Sequence, residues 1–251
     1  MYTIAIANQK GGVAKTTTCA AMASVLSRKG YRVLTADMDP QGNLTGNVGV
    51  QPGERGVYRI LRNEGTVSSE AVKAARYDIL PSTILLTTLA SEMKDNLGSE
   101  FRLRSALRSA EKDYDFCLLD CPPAFGQMTA SALIACNHLI IPFEADRNSL
   151  VGIKELEANT IAPVRSYYNP DMKVSLLQTK CNPQLRITRE ATKLSEMISE
   201  MYQWPLYATR IRNCVSVKDA DFSSIDLYDY APNSTVAKDY WVFTEEFLET
   251  L

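Results

Sequence analysis

Short apolar runs, several of them rich in branched side chains, recur along the chain and stop abruptly at Asp, Pro or Gly. Ile4 to Ala7, Arg32 to Asp37, Tyr77 to Leu80, Phe116 to Asp120, His138 to Pro142, Lys173 to Thr179 and Leu206 to Arg210 read as strands, about seven in all. Helical stretches lie between them. They comprise Cys19 to Leu26, a short helix near Val57 to Arg62, an amphipathic helix over Phe101 to Lys112 with basic residues outward, and a run from Gly152 toward Tyr168. The last helix spans Ser234 to Leu251, capped at its start, with Val236, Tyr240, Phe243, Phe247 and Leu251 near one face. Strand, helix and strand joined by short connections imply right-handed parallel crossovers, so the predicted fold is α/β, a doubly wound, mostly parallel sheet flanked by helices. Residues 1–251 are expected to form one domain, with 44–75 as a less regular surface excursion. Ligands of such sheets sit at the carboxyl ends of the strands.

Those ends carry the chemistry. Residues 4 to 17 read IAIANQKGGVAKTT, a strand, a glycine turn and the start of a helix. A triphosphate is a dense anion and wants inward-pointing backbone N–H groups, which Gly11 and Gly12 permit by close approach, and the positive end of a helix dipole, which begins near Thr16. The loop Gly11, Gly12, Val13, Ala14, Lys15, Thr16 and Thr17 is the expected phosphate cradle. Lys15 is placed to reach the β- and γ-phosphates and the Thr16 hydroxyl to ligate Mg²⁺. Gln9 and Ala14 occupy the two positions where the strict P-loop pattern has glycine; if the backbone at Ala14 needs positive φ, alanine costs on the order of 1 kcal/mol. The buried run FCLLD ends in Asp120 before Cys121-Pro122-Pro123, which forces the chain out of the sheet. That is a Walker B arrangement, with Asp120 toward Mg²⁺.

Composition narrows the class. Hydrophobic residues make up 45% of 251, enough for one large core, and the net charge of −2 points to no polyanion partner, so any such contact must be a local patch. The 6 cysteines are scattered through apolar surroundings with no Cys-x-x-Cys pair, which reads as reduced core thiols of a cytoplasmic protein. Met1-Tyr2-Thr3 leads straight into a strand with no signal-peptide pattern, and no apolar run is long enough to span a membrane. The single histidine, His138, sits in a core strand and is expected to be structural.

Four stretches in order, KGGVAKTT at 10 to 17, DMDPQGN at 37 to 43, LLDCPP at 118 to 123 and Pro142-x-Glu144-x-Asp146 to Gly152, resemble the ParA-type partition ATPases of the ParA/MinD family with its deviant Walker A motif. The family usually has glycine where this chain has Ala14. The resemblance implies ATP and Mg²⁺ as ligands and a homodimer when ATP is bound. Lys10 takes the position of the signature lysine, which reaches the partner subunit's phosphates, while Lys15 serves its own nucleotide. Asp39 is implied to orient the attacking water with Asp37 in support, and Asn182 to contact adenine.

By the same resemblance the ATP-bound dimer binds non-specific DNA, associates with the nucleoid, and is released when a centromere-binding partner protein stimulates hydrolysis. Local support is a basic cluster in the C-terminal third: Lys180, Arg186, Arg189 and Lys193, then Arg210, Arg212 and Lys218, with Glu190, Glu196 and Glu200 nearby. The chain starts at the first strand, so no operator-reading helix-turn-helix is expected ahead of it. A MinD-like positioning ATPase on membrane or protein cargo is the alternative; the acidic Asp239, Glu245, Glu246 and Glu249 of the last helix speak against a membrane. A metabolic enzyme on this fold is a third class. The iron–sulfur form needs paired cysteines, and the amide-forming ligase has no need of Lys10 or the DPQGN string.

Overall fold

A computed structural model describes residues 1–251 except 52, 54, 95, 145 and 183–185, and describes only the backbone of 147, 148, 150 and 186–192. Seven strands form one sheet: β1 Tyr2–Ile6, β2 Val33–Asp37, β3 Val72–Lys73, β4 Asp78–Leu80, β5 Phe116–Asp120, β6 His138–Glu144 and β7 Lys173–Thr179. Their order is β3-β4-β2-β5-β1-β6-β7, and only the β3–β4 pair is antiparallel. The central strands are covered on both faces. Alternation along β1 sends Ile4 and Ile6 to one core, while Ala5 and the following Ala7 face the other.

The helix Lys15–Arg28 and the last helix, Thr235–Leu248, pack together on the Ile4 face. Val236, Tyr240, Phe243 and Phe247 are buried there, as the sequence predicts, and Ser234 caps the helix by accepting from the Ala237 N–H at 3.3 Å. Leu251 lies beyond the helix and is exposed. Tyr240 donates or accepts at 3.0 Å with Thr18, joining the two helices by a buried hydroxyl pair. The opposite face carries Arg102–Ser109, Gln127–Ala135 and the chain from Arg147 to Tyr167.

One expectation is corrected. Leu206 to Arg210 is no strand: Leu206 makes one isolated bridge to Leu176, the Tyr207 N–H donates to the Leu176 carbonyl at 3.0 Å, and the amides of Ala208 and Thr209 then turn to the Glu246 carboxylate at 2.6 and 2.9 Å. The seventh strand is instead the two-residue β3 on the far edge. The helix toward Tyr168 forms as expected, as Arg147–Leu156 and Ala162–Tyr167 joined through a π-helical turn Glu157–Ile161. Pro163 has no N–H to continue the helical ladder, which accounts for the widened turn before it.

The parallel register sets the site. Asp37 at the end of β2 pairs with Asp120 at the end of β5, and Ile6 of β1 pairs with the same Asp120. The loop leaving β1 therefore opens directly over two carboxylates.

Candidate nucleotide site

The loop from Asn8 to Ala14 is held from both sides. Asn8 is fully buried; its amide donates to the Pro142 carbonyl at 2.8 Å and its side-chain oxygen accepts from the Lys10 N–H at 3.0 Å. Thr179, closing β7, donates its hydroxyl between the Val13 and Phe143 carbonyls at 3.1 and 3.2 Å. Gly12 has φ 76°, and Ala14, the residue before the helix, has φ 65° and ψ 32°. The alanine does occupy the left-handed conformation that the family's usual glycine adopts without strain. Lys15 is buried, and its ammonium donates to the Lys10 carbonyl at 3.1 Å. Burial lowers its pKa, against the opposing pull of Asp120.

Opposite the loop stand the carboxylates. Asp37 is fully buried and accepts from the Thr45 N–H and hydroxyl at 2.8 and 2.7 Å and from the Asp39 N–H at 3.2 Å. Thr45 is in the helix Asn43–Asn47, whose start at Gly42 has φ 66°. Asp39 is half-buried, accepts from the Gln41 N–H at 3.0 Å, and has its backbone carbonyl fixed by the Ser82 hydroxyl. Both carboxylate oxygens of Asp120 are buried without a hydrogen-bond partner. Desolvation, reinforced by Asp37, pushes the pKa of Asp120 well up; the Thr16 hydroxyl and Lys15 pull the other way. Asp37 is pushed up too, chiefly by burial. A buried carboxylate left unpartnered at the mouth of a phosphate loop is short of one cation, so Asp120 with the Thr16 hydroxyl fits a Mg²⁺ carried by a nucleotide.

Beside the loop lies a cleft of about 490 Å³, lined by Gly11, Gly12, Ala14, Lys15, Thr16, Thr17, Asp39 and Asn43 together with Arg212, Lys218, Asp221 and Tyr240. That is room for a nucleotide. Asn182 is exposed, one residue beyond Cys181, whose backbone pairs with the Ile211 carbonyl and the Asn213 N–H of the cleft wall. The basic residues of the C-terminal third divide. Lys180, Arg212 and Lys218 line the cleft; Arg212 is also held by Asp239 through paired bonds at 2.6 and 2.9 Å. Lys193 and Arg210 are exposed and away from its lining, and the side chains of Arg186 and Arg189 lie outside the described residues.

Lys10 is held in its own subunit. Its ammonium bonds to the Asp146 carboxylate, lies 3.3 Å from the Ser149 hydroxyl and 3.7 Å from Glu144, on the corner between β6 and the helix Arg147–Leu156. Asp146 also caps that helix by accepting from the Ser149 N–H at 2.7 Å. Burial tends to raise the pKa of Asp146, but Lys10 and Ser149 together hold it below the ordinary carboxylate range. Sequence reasoning marked Glu144 and Asp146 as part of a motif without giving them this task. Their signal was an acidic pair at the end of a strand adjacent to β1. His138 is a core residue as expected: it is buried, bonds Ser175 at 2.9 Å, and has its pKa lowered to about 4 by burial.

Sheet order, phosphate loop and strand-end carboxylates define a P-loop nucleoside triphosphatase fold. A family profile described as an AAA domain matches residues 1–174. The chain is 32% identical over 252 residues to the sporulation initiation inhibitor protein Soj of Bacillus subtilis, covering 97% of this chain and 96% of that one. It is 34% identical to the chromosome-partitioning ATPase Soj of Thermus thermophilus, covering 98% and 94%. The chain belongs to the ParA/MinD family of P-loop ATPases.

Among solved structures it is similar to cobyrinic acid a,c-diamide synthase of Mycobacterium smegmatis with bound ATP analog and magnesium, at TM-score 0.86 and 29% identity over 99% of this chain and 95% of that one. It shares its fold with Cyanothece apo McdA, at TM-score 0.88 and 20% identity over 99% of both chains.

Proposed function

We propose that this protein is a Mg²⁺-dependent ATPase that works as a partition switch. ATP closes two subunits into a dimer, the dimer binds DNA without regard to sequence, and a partner protein at a centromere-like site stimulates hydrolysis and release. The observation that carries this reading is the pairing of a lysine at position 10 with Lys15 around one phosphate loop, above two strand-end carboxylates, in a chain whose relatives include chromosome-partitioning ATPases.

The residues divide the work by position. Lys15 and the amides of Gly11 to Thr16 hold the phosphates. Asp39, on the loop after β2, accepts a hydrogen bond from a water and aims it at the γ-phosphorus, in line with the β–γ bridging oxygen that leaves with ADP. Asp37 keeps that loop in place through Thr45 and the Asp39 N–H. Mg²⁺, held by Thr16 and Asp120, supplies charge neutralisation on the phosphates. Lys10 supplies a further positive charge to the nucleotide of the facing subunit, where charge neutralisation is most of the catalysis on offer. Loss of the γ-phosphate removes that contact, and the dimer parts. The DNA arm draws on Lys193, Arg210 and the Arg186 to Arg189 stretch, doubled by dimerisation.

The MinD-like alternative needs a free amphipathic helix at the membrane, whereas the apolar face of Thr235–Leu248 is buried in the core. No helix among the described residues is long and apolar enough to cross a membrane. A second reading, an ATP-dependent amide synthase, draws support from the Mycobacterium smegmatis likeness. It predicts ATP turnover that waits on a carboxylic acid and an amide donor rather than on DNA and a protein partner.

Light scattering with Mg-ATP, Mg-ADP and no nucleotide tests the switch. Wild-type protein is expected to dimerise with ATP alone, and Lys10→Ala to stay monomeric while still binding nucleotide. Equal dimerisation of both proteins contradicts the signature-lysine role.

A further inference from the structure

Lys180 directly follows β7 and holds a left-handed backbone conformation, φ 53°, which is uncommon for a lysine. The strand end before it is bolted to the phosphate loop by the Thr179 hydroxyl on the Val13 carbonyl. A methyl group placed on Gly12 would lie 3.9 Å from the Lys180 ammonium, so that ammonium overlies the loop. Among the described residues its one ion pair is with Glu144 at 3.0 Å, and both side chains are more than a quarter exposed, at 41% and 30%. A pair that open to water adds little to stability. A non-glycine residue held in a strained conformation beside a ligand cleft is more readily explained by what its side chain does there.

We propose that Lys180 is a nucleotide-binding residue that acts in its own subunit on the diphosphate part of the nucleotide. The backbone of a phosphate loop cradles the α- and β-phosphates, and Gly12, under the Lys180 ammonium, is part of that cradle. Three lysines then have three tasks: Lys15 grips the phosphates from the helix start, Lys180 covers them from the β7 side, and Lys10 serves the facing subunit. Glu144 pairs with Lys180 at 3.0 Å and so competes with phosphate for its ammonium, while standing 3.7 Å from Lys10. Because α- and β-phosphates are common to ADP and ATP, Lys180 acts on both alike, whereas Lys10 acts on ATP in the dimer. The inference rests on the nucleotide reading above and takes Lys180 out of the DNA footprint.

Calorimetric titration of ADP and of ATP, without DNA, into wild type, Lys180→Met, Lys180→Arg and Glu144→Gln tests it. Lys180→Met is expected to weaken both nucleotides by the same factor, about tenfold for one charge-assisted contact. Lys180→Arg, which keeps charge and reach, is expected to restore most of the affinity. Glu144→Gln removes the carboxylate that competes for Lys180 and is expected to tighten ADP binding several-fold. Unchanged ADP affinity in Lys180→Met, a loss confined to ATP, or an equal loss in Lys180→Arg overturns the proposal. Should Lys180→Met fail to fold, Glu144→Gln decides: unchanged or weaker ADP binding overturns it. Failure of the wild type to bind ADP brings down the nucleotide reading itself, whereas wild-type binding with indifferent variants brings down Lys180 alone.

Discussion

Replacing Ala14 with Gly removes a strain that the phosphate loop now carries. Ala14 sits at φ 65° and ψ 32°, within the left-handed region, where its Cβ crowds the following carbonyl oxygen. That costs an L-residue roughly 1–2 kcal/mol. Its carbonyl accepts from the Thr18 N–H at 2.9 Å, the first helical bond of Lys15–Arg28, so the residue is not free to relax without fraying that helix. Glycine relieves the strain but adds freedom to the unfolded chain, which takes back roughly 0.5–1 kcal/mol. The net expectation for Ala14→Gly is a gain of about 0.5–1 kcal/mol, or about 2–3 °C in Tm for a chain of this length. Urea unfolding of the nucleotide-free protein is the assay, with an unchanged m-value showing that the folded state, not the extent of unfolding, has moved. Ala14→Val, with a branched Cβ in the same conformation, is expected to lose stability. Equal midpoints for wild type, Ala14→Gly and Ala14→Val would refute the strain argument.

Asp120→Asn removes a buried carboxyl that is costly to ionise, and is expected to raise nucleotide-free stability at pH values where that carboxyl would have to ionise, while abolishing Mg²⁺-dependent nucleotide binding. Melting curves with and without Mg-ADP check both halves. The raised pKa values of Asp37 and Asp120 set a pH dependence: the folded form holds protons that the unfolded carboxylates have released, so nucleotide-free stability falls as pH rises from about 4 through the raised values. His138 acts with the opposite sign, its lowered pKa costing stability as pH drops from about 6.5 to about 4, so Asp120→Asn should flatten the first trend and leave the second. Asp39→Ala should keep ATP-driven dimerisation and lose turnover by about a hundredfold or more, read by phosphate release. Asp146→Asn frees Lys10 from its own subunit and should lower the ATP concentration for half-maximal dimerisation; an unchanged midpoint would show that the contact imposes no threshold.

Much of this was legible in the chain because β2, β5 and β7 are buried along nearly their whole length and therefore read as mostly apolar runs ending at Asp37, Asp120 and Thr179. The phosphate loop was legible because its chemistry is local, fixed by the order Lys10 to Thr16. What escaped depends on distant partners. Leu206 to Arg210 has a strand's apolar pattern, but the amides of Ala208 and Thr209 are taken by Glu246, far along the chain, which no pattern announces. β3 is only two residues long, with Val72 half-buried and Lys73 exposed, too short to carry a pattern. The basic residues near the C-terminal third looked like one patch in sequence. Folding brings Lys180, Arg212 and Lys218 to the lining of the cleft, because β7 and the segment after Tyr207 pair at the strand ends beside the phosphate loop. The holding of Lys10 by Asp146 joins residues 136 positions apart, and only the β1–β6 adjacency brings them together.

An ATP-controlled grip on DNA is open to one titration: random-sequence duplex DNA at low and moderate salt, with Mg-ATP, Mg-ADP and no nucleotide in parallel. Binding is expected with ATP only, equal on unrelated sequences and weakening steeply as salt rises. Equal binding in all three states, or none while ATP still drives dimerisation, would contradict it.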